Sequence, residues 1–220
     1  IDVILCVGEE WKEYPLTTSG IYIQHRIGAD NAWAIDVQQR CNSPVAALKM
    51  AKDMIIADEE LSTVMIVGGY RNGDFIDYED SAVSFMFNLS AGAGAILVKR
   101  DYPANHILGT HIITDGSLAR SAGVKYGGTE YPITVDNAHE AYKSLKVFDE
   151  KYMKDRLNEV SMSNWFHCID KAFEKSNLKR EDLGFLACLH FKRSMFNSML
   201  DELNITLDKT IYLENYGHMG

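Results

Sequence analysis

The sequence has 220 residues, of which 46% are hydrophobic and 24% are charged, so it can bury a core without a metal or disulfide staple. Its 22 basic and 31 acidic residues leave a net charge of −9, which argues against a general nucleic-acid-binding protein. We expect no membrane span, because no stretch of about 18 apolar residues occurs.

The cysteines and the first residues indicate the compartment. Four cysteines are widely spaced and fit neither a zinc pattern nor a disulfide framework: Cys6, Cys41, Cys168 and Cys188. We therefore predict no metal site, and free thiols favour a reducing, cytoplasmic setting. Residues 1–8 lack a basic region and a cleavage site, so they indicate a buried strand and not an export signal.

Short apolar runs alternate with a helical pattern in the first half of the chain. Strands are predicted at 1–7, 31–37, 63–67, 81–87 and 92–98. Apolar residues spaced three and four apart predict a helix over 44–57, and Pro44 suits its first turn. Asn72 and Gly73 mark a turn.

A polar segment, 99–105, is the predicted boundary between the two halves. Beyond it the same reasoning predicts strands at 107–114, 184–189 and 211–213, and amphipathic helices at 153–177 and 195–203. The glycine-rich segment 117–138 has no clear period and predicts a long loop near a substrate entrance.

This alternation of strands and helices indicates an α/β fold. The continuous apolar strands predict a sheet that helices cover on both faces. The predicted order near residue 41 is a strand, a cysteine and a helix. A similar order occurs near residue 190, with a histidine in place of the cysteine. This similarity favours two related halves, residues 1–104 and 105–220.

Cys41 is the sharpest candidate for chemistry, because it lies between a predicted buried strand and the start of a helix. Backbone N–H groups and the helix dipole favour negative charge at such a place, which populates the nucleophilic thiolate. The alternative is a structural cysteine in the core, which is the interpretation we prefer for Cys6, Cys168 and Cys188.

Two histidines follow predicted strands in the second half. His190 precedes Lys192 and Arg193, at a loop position where catalytic groups are often presented. His218 lies in the run 216–220, where small neighbours let the backbone approach a ligand. Each histidine alone could be an ordinary structural residue, but three such features at strand ends favour a common site.

The run 91–95 superficially resembles a nucleotide-binding turn. It lacks the third glycine, and an apolar strand follows it instead of a helix. We therefore predict no nucleotide site there and interpret Gly92 and Gly94 as positions of close backbone packing.

Several motifs occur in a characteristic order: 29–37 with Cys41, 64–69, 91–97, 114–116, His190 and 216–218. In this order they resemble the β-ketoacyl-ACP synthase III branch of the thiolase superfamily. The resemblance implies a thiolase-like fold of two similar α/β halves with mixed sheets, usually as a homodimer. It implies an acyltransferase with Cys41 as acyl-accepting nucleophile and His190 as its catalytic partner. It also implies thioesters of acyl-CoA or acyl carrier protein as substrates, with no permanently bound cofactor.

The chain departs from the family pattern in three places. Where the family usually has Asn in a Gly-Asn-Thr-Ser run, this chain has His218, which we expect to take the third catalytic role. The usual Asp-Arg pair is replaced by Asp80 and Ser81, which would weaken a contact to coenzyme A. The family normally runs to a greater length, so we expect a fragment.

Four functions remain open from the sequence, and one of them is a cysteine hydrolase of another fold, in which a carboxylate would orient His190. The first is condensation of an acyl group on Cys41 with a malonyl thioester, in fatty-acid or polyketide-like biosynthesis. The second is transfer of the acyl group to an alcohol, an amine or a carrier without condensation. The third is a non-catalytic scaffold, which the change at His218 motivates and the presence of both Cys41 and His190 opposes. Lys192 and Arg193 would offer an approach for an acidic carrier protein.

Overall fold

A computed structural model describes residues 1–8, 12–142 and 144–220 of the chain. The chain forms two compact units. Unit 1 comprises Ile1–Arg71, Ser90–Thr110 and Met219–Gly220, and unit 2 comprises Asn72–Leu89 and His111–His218. The division into halves at residue 104 stays a prediction. Nothing in the sequence suggested that the segment 72–89 would join the second unit.

Unit 1 is built on a four-stranded mixed sheet. Its strands are β1 (Val3–Val7), β2 (Trp33–Val37), β3 (Thr63–Arg71) and β4 (Ala91–Lys99). Their order is β2-β1-β3-β4, and β1 runs parallel to both neighbours. β3 and β4 are antiparallel, with Gly68 opposite Gly94. These strands confirm the predictions for 1–7, 31–37, 63–67 and 92–98.

Helices cover β1 on both faces. Helix α2 (Ser43–Ala57) packs Ala47 and Ala51 against Leu5 in the core of unit 1. On the other face, helix α1 (Ser19–Arg26) approaches so closely that a Cβ on Gly20 would lie 3.2 Å from the Cβ of Cys6. Every residue of β1 is buried, as expected of a parallel strand between two layers. The predicted helix over 44–57 is confirmed, whereas α1 was missed.

A carboxylate on β2 sets the start of α1. Asp36 accepts hydrogen bonds from the backbone N–H groups of Ser19 (3.0 Å) and Gly20 (2.7 Å), and from Nζ of Lys12 (2.5 Å). Burial opposes ionisation of Asp36, but these hydrogen bonds outweigh it and hold its pKa below the ordinary value. One partly buried charge thus joins the helix to the sheet.

Unit 2 is mainly helical. Its helices are α3 (Ala138–Ala141), α4 (Glu150–Ser176) and α5 (Arg193–Leu203). A two-stranded antiparallel sheet pairs β5 (Ala122–Val124) with β6 (Leu145–Val147). The core gathers on one face of α5, where Phe196 and Leu200 are buried against Phe166 of α4. α4 and α5 confirm the predicted helices, and β5 lies within the segment that was predicted to be a loop.

The predicted strand 81–87 is wrong. The structure has a 3-10 helix at Ser81–Met86 instead. The carboxylate of Asp80 accepts a hydrogen bond from the backbone N–H of Ala82 (3.1 Å), which begins a helical turn. Only Val83 of this helix is buried, so its apolar run does not cover a sheet.

Three further predicted strands are also wrong: 107–114, 184–189 and 211–213. In the first, Leu108 and Ile113 are exposed, so the run is not covered as a sheet strand would be. Near the other two, a single bridge joins Leu186 to Thr210. One bridge forms no ladder, and Leu186 and Tyr212 instead pack against the buried face of α5.

Within the described part of the chain, no helix combines the length and the apolar character that crossing a membrane would need.

Candidate active site

Cys41 lies in a tight connection between β2 and α2 in unit 1. The buried side chain of Ser43 fixes this connection, because its Oγ accepts a hydrogen bond from the N–H of Gln39 (2.7 Å) and donates one to the carbonyl of Arg40 (2.7 Å). Ser43 was not predicted as a site residue, although a small hydroxyl residue before a helical proline is a recognisable start signal. Cys41 itself is half-buried at the entry of α2.

The backbone next to Cys41 is strained. Arg40 has a φ of 52°, in the left-handed region that costs a side-chain-bearing residue about 1–2 kcal/mol. Positions of this kind cluster at functional sites, where the surrounding structure enforces them. Here the two hydrogen bonds of Ser43 hold the strained turn, so the nucleophile candidate is presented in one conformation.

A cavity of about 330 Å³ opens beside this connection, and all the described residues that line it belong to unit 1. Its volume is in the range of small-molecule sites. Arg40 and Ser43, on either side of Cys41 in the sequence, both line it. The other lining residues come mostly from strand ends: Val7, Gly8, Pro44, Ile66, Gly68, Gly69, Tyr70, Gly92, Ala93, Gly94, Ala95, Ile96, Met219 and Gly220.

Two glycines allow the backbone to pack closely at this cavity. A Cβ on Gly68 would lie 1.9 Å from the carbonyl oxygen of Val7, so only glycine fits there. A Cβ on Gly92 would lie 2.7 Å from Sδ of Met219, which confirms close packing at that residue. The prediction is wrong for Gly94, where an added Cβ would meet nothing within 4 Å.

The other three cysteines are in environments that suppress the thiolate. Burial, with a smaller contribution from the charge of Asp36, raises the pKa of Cys6 to about 11. Burial also raises the pKa of Cys168 and of Cys188. These thiols stay protonated at neutral pH, which agrees with the structural role proposed for them.

His190 lies in unit 2, in the connection that precedes α5. Its ring packs on that of Tyr212, with ring centroids 4.5 Å apart. Its Nδ1 is buried and has no hydrogen-bond partner among the described residues. Burial lowers the pKa of His190, the charge of Arg193 lowers it further, and Glu214 opposes the shift. The imidazole is therefore neutral at pH 7, with Nε2 as its remaining polar atom.

His218 is buried in the same unit. Gly217 before it has a φ of 71° and donates its N–H to the carbonyl of Leu213 (2.8 Å), which turns the chain. The N–H of His218 then donates to the carbonyl of Asn88 (2.7 Å). Burial lowers the pKa of His218, and the charge that His190 would carry lowers it further.

The structure brings the two histidine segments together through Asn88. Besides accepting from His218, Asn88 places its Nδ2 3.5 Å from the carbonyl oxygen of His190. No feature of the sequence pointed to Asn88. Cys41 belongs to the other unit, so its grouping with His190 and His218 in one site stays a prediction.

Two further predictions concern a metal site and the basic residues Lys192 and Arg193. In residues 1–8, 12–142 and 144–220, no three His, Cys, Asp or Glu side chains are grouped so that they could hold a metal ion. Lys192 and Arg193 are both exposed, and Arg193 pairs with Glu214 (2.9 Å) and lies over the ring of Tyr212, so an approach for a carrier protein at this pair stays a prediction.

Comparison with known proteins identifies similar sequences. The family model for 3-oxoacyl-[acyl-carrier-protein (ACP)] synthase III matches residues 35–116. The β-ketoacyl-[acyl-carrier-protein] synthase III of Azobacteroides pseudotrichonymphae is 25% identical over 213 residues, which cover 94% of this chain and 60% of the relative. That of Streptococcus equi subsp. zooepidemicus is 28% identical over 198 residues, covering 90% and 57%. The resemblance seen in the sequence is confirmed, and the chain spans about 60% of the relatives' length.

Solved structures agree with the sequence comparison. A crystal structure of a 3-oxoacyl-(acyl-carrier-protein) synthase III matches with a TM-score of 0.78 and 21% identity, over 100% of this chain and 66% of the other. The priming β-ketosynthase of the R1128 polyketide pathway matches with a TM-score of 0.74 and 21% identity, over 100% and 62%. These matches confirm the thiolase-like α/β fold.

Proposed function

We propose that the whole protein is an acyltransferase of the 3-oxoacyl-ACP synthase III type. It forms an acyl-enzyme on Cys41 from an acyl thioester and condenses it with a malonyl thioester, in fatty-acid or polyketide-like biosynthesis. The observation that carries the proposal is the position of Cys41, at a helix start in a fixed turn whose flanking residues line a cavity of about 330 Å³. The similarity to named synthases supports the choice of reaction.

The first step is acyl transfer to sulfur. The thiolate of Cys41 attacks the thioester carbonyl, the Sγ–carbon bond forms, and the donor thiolate leaves and takes up a proton. The start of α2 favours the negative charge on the attacking sulfur. The backbone N–H of Cys41 is a donor for the oxyanion of the tetrahedral intermediate. The acyl chain would occupy the cavity, whose wall is mostly apolar side chains and backbone.

The second step uses the histidines. The malonyl thioester loses carbon dioxide, and the resulting enolate attacks the acyl carbonyl on Cys41, which releases the Cys41 thiolate. A neutral imidazole can donate an Nε2–H hydrogen bond to the enolate oxygen as its charge develops. The lowered pKa values of His190 and His218 support this role, because both rings are neutral at the pH of the cell. His218 would act where the family usually has Asn.

The partners and setting belong to the same proposal. We propose acyl-CoA as a donor, acyl carrier protein as the malonyl carrier, and a homodimer in the cytoplasm. The reaction needs only thioester substrates, so no permanently bound cofactor is required.

A second candidate is acyl transfer without condensation. His218 favours it, since an imidazole in the third position could act as a general base for an alcohol or amine acceptor. The cavity and Cys41 would serve the same first step.

The test uses the full-length protein. It is mixed with short and medium acyl-CoA thioesters, and the adduct is located by intact mass and peptide mapping, with Cys41→Ala as the variant and Cys188→Ala as the matched control. A Cys41 adduct that malonyl carrier protein removes with carbon dioxide release would support condensation. An adduct that ignores malonyl groups would support the second candidate. No adduct on a folded protein would overturn the assignment of Cys41.

Thiol reactivity separates both enzymes from a non-catalytic scaffold. At pH 7 a thiol with a pKa of about 11 is thiolate in only about one molecule in ten thousand, so Cys6 should resist iodoacetamide. We expect Cys41 to alkylate at least ~100 times faster than Cys6. Equal rates at the two residues would favour the scaffold.

A further inference from the structure

Tyr212 contacts both His190 and Arg193 in unit 2. Its ring centroid is 4.5 Å from that of His190, at an interplanar angle of 43°. The guanidinium carbon of Arg193 is 3.7 Å from the same Tyr212 centroid. Two groups that differ in charge therefore share one aromatic ring as their common contact.

Tyr212 is held firmly in this position. Its hydroxyl donates a hydrogen bond to the carbonyl of Phe191 (2.8 Å), the residue directly after His190. Its ring also packs on Phe196, with centroids 4.8 Å apart, and Phe196 is only 1% exposed in the core of unit 2. The tyrosine therefore connects the segment that carries His190 to the buried face of α5.

Arg193 closes the arrangement. Its guanidinium pairs with the carboxylate of Glu214 (2.9 Å), two residues after Tyr212. A guanidinium above an aromatic face is attracted by the ring quadrupole, and its planar shape suits stacking. The segments 190–193 and 212–214 are thus joined by the stack, the ion pair and the tyrosine hydroxyl.

We infer that Tyr212, clamped by Arg193 and Glu214, is a positioning residue that fixes the imidazole of His190 for the second step of the reaction. The inference rests on the proposed function, because it concerns the step assigned to His190. The buried Nδ1 of His190 has no partner among the described residues, so no hydrogen bond from those residues to that atom orients the ring. The contact with Tyr212 takes the place of such a hydrogen bond.

The same clamp sets the charge around His190. The charged and titratable groups that face the ring are Arg193, Glu214 and His218. Arg193 disfavours the imidazolium and Glu214 favours it. Replacing Arg193 with a neutral residue removes the first effect and leaves Glu214 unopposed. The pKa of His190 should then rise. Activity that needs a neutral His190 should therefore begin to fall at a higher pH as the solution is acidified.

The test measures the two steps separately on the full-length protein. Loading of Cys41 by acyl-CoA is followed by intact mass, and malonyl condensation by carbon dioxide release across pH. We expect Tyr212→Leu to lower the turnover number of condensation about 10- to 100-fold with unchanged loading and KM. Tyr212→Phe, which keeps the ring, should lose less. Phe185→Leu, an exposed aromatic change in the same unit, is the control and should match the wild type.

The pH profile tests the clamp even if Tyr212→Leu does not fold. Arg193→Gln should move the acidic limb of the pH profile of condensation to higher pH. Arg193→Lys should return that limb to its wild-type position without restoring the full turnover number. Unchanged condensation in a folded Tyr212→Leu, or an unmoved limb in Arg193→Gln, would overturn the inference. Different results would contradict the proposed function itself: normal condensation by His190→Ala, or no loading of Cys41 by acyl-CoA.

Discussion

Unit 1 builds its core on strands, whereas unit 2 builds its core on one face of a helix. β1 is buried along its whole length between two parallel neighbours, and the turn that carries Cys41 is tied to the backbone through Ser43. His190 lies in no strand and is held by side chains, above all Tyr212. Hydrogen bonds between one side chain and the backbone therefore hold the nucleophile candidate, whereas contacts between aromatic side chains hold the histidine.

The largest effect should come from a close backbone contact in unit 1. Gly68→Ala would place a methyl group 1.9 Å from the carbonyl oxygen of Val7, so β1 and β3 must separate. We expect a loss of about 3 kcal/mol or more, or a failure to fold, seen in thermal melts. Gly94→Ala is the control, since it lies directly opposite in the ladder and has open space around it. Equal melting temperatures would contradict the contact.

Removing one large buried side chain from each core tests the comparison directly. Leu5→Ala in unit 1 should cost about 2–5 kcal/mol, and Phe196→Ala in unit 2 about 3–5 kcal/mol, because each leaves a cavity. Urea unfolding measures both losses. The exposed Leu97→Ala serves as the control and should stay within about 0.5 kcal/mol of the parent. A small effect at Phe196 would show that the helical core is loosely packed.

A partly buried charge in unit 1, that of Asp36, should contribute less to stability, and its contribution should depend on pH. Asp36→Asn weakens the hydrogen bonds to Ser19, Gly20 and Lys12, for an expected loss of about 1–3 kcal/mol at pH 7. The folded pKa lies below the unfolded value, near 3.8, so the stabilisation is present above that pH and lost as the pH falls through the folded pKa.

Denaturant unfolding of the wild type and Asp36→Asn between pH 3 and 7 checks this sign. The difference between the two should shrink on the acid side. Asp53→Asn, which removes an exposed carboxylate paired with Lys49, is the control and should change little at any pH. If the difference in the free energy of unfolding stayed constant across this pH range, the charge of Asp36 would not be what stabilises the fold.

The smallest effect should come from a partly exposed ion pair in unit 2. Lys146 pairs with Asp80 (2.8 Å), the residue that also begins the 3-10 helix. Lys146→Met should cost about 0.2–1 kcal/mol, less at high salt, since exposed pairs contribute little. Asp80→Ala should cost more, because it also removes the hydrogen bond to Ala82. If both variants were as stable as the wild type, the ion pair and the hydrogen bond that begins the 3-10 helix would contribute nothing to stability.

Local patterns predicted most of unit 1. The apolar run of β1 and the spacing of three and four in α2 are signals carried within a few residues, and Pro44 marked the start of α2. Helix α1 was missed because its first turn depends on Asp36, which follows it in the chain. In unit 2 the apolar runs around Leu186 and Ile211 suggested strands, although such runs suit a surface packed on α5 equally well.

The sequence by itself determined the α/β class, the position of Cys41 between a strand and a helix, and the resemblance to 3-oxoacyl-ACP synthase III. Only the tertiary structure showed that Gly68 touches the end of β1 and that Asp36 holds α1. It alone also showed that Tyr212 contacts both His190 and Arg193. The reason is physical. Periodicity and helix-start chemistry act over one or two turns of chain, whereas these contacts join residues from different elements and form only when the chain has folded.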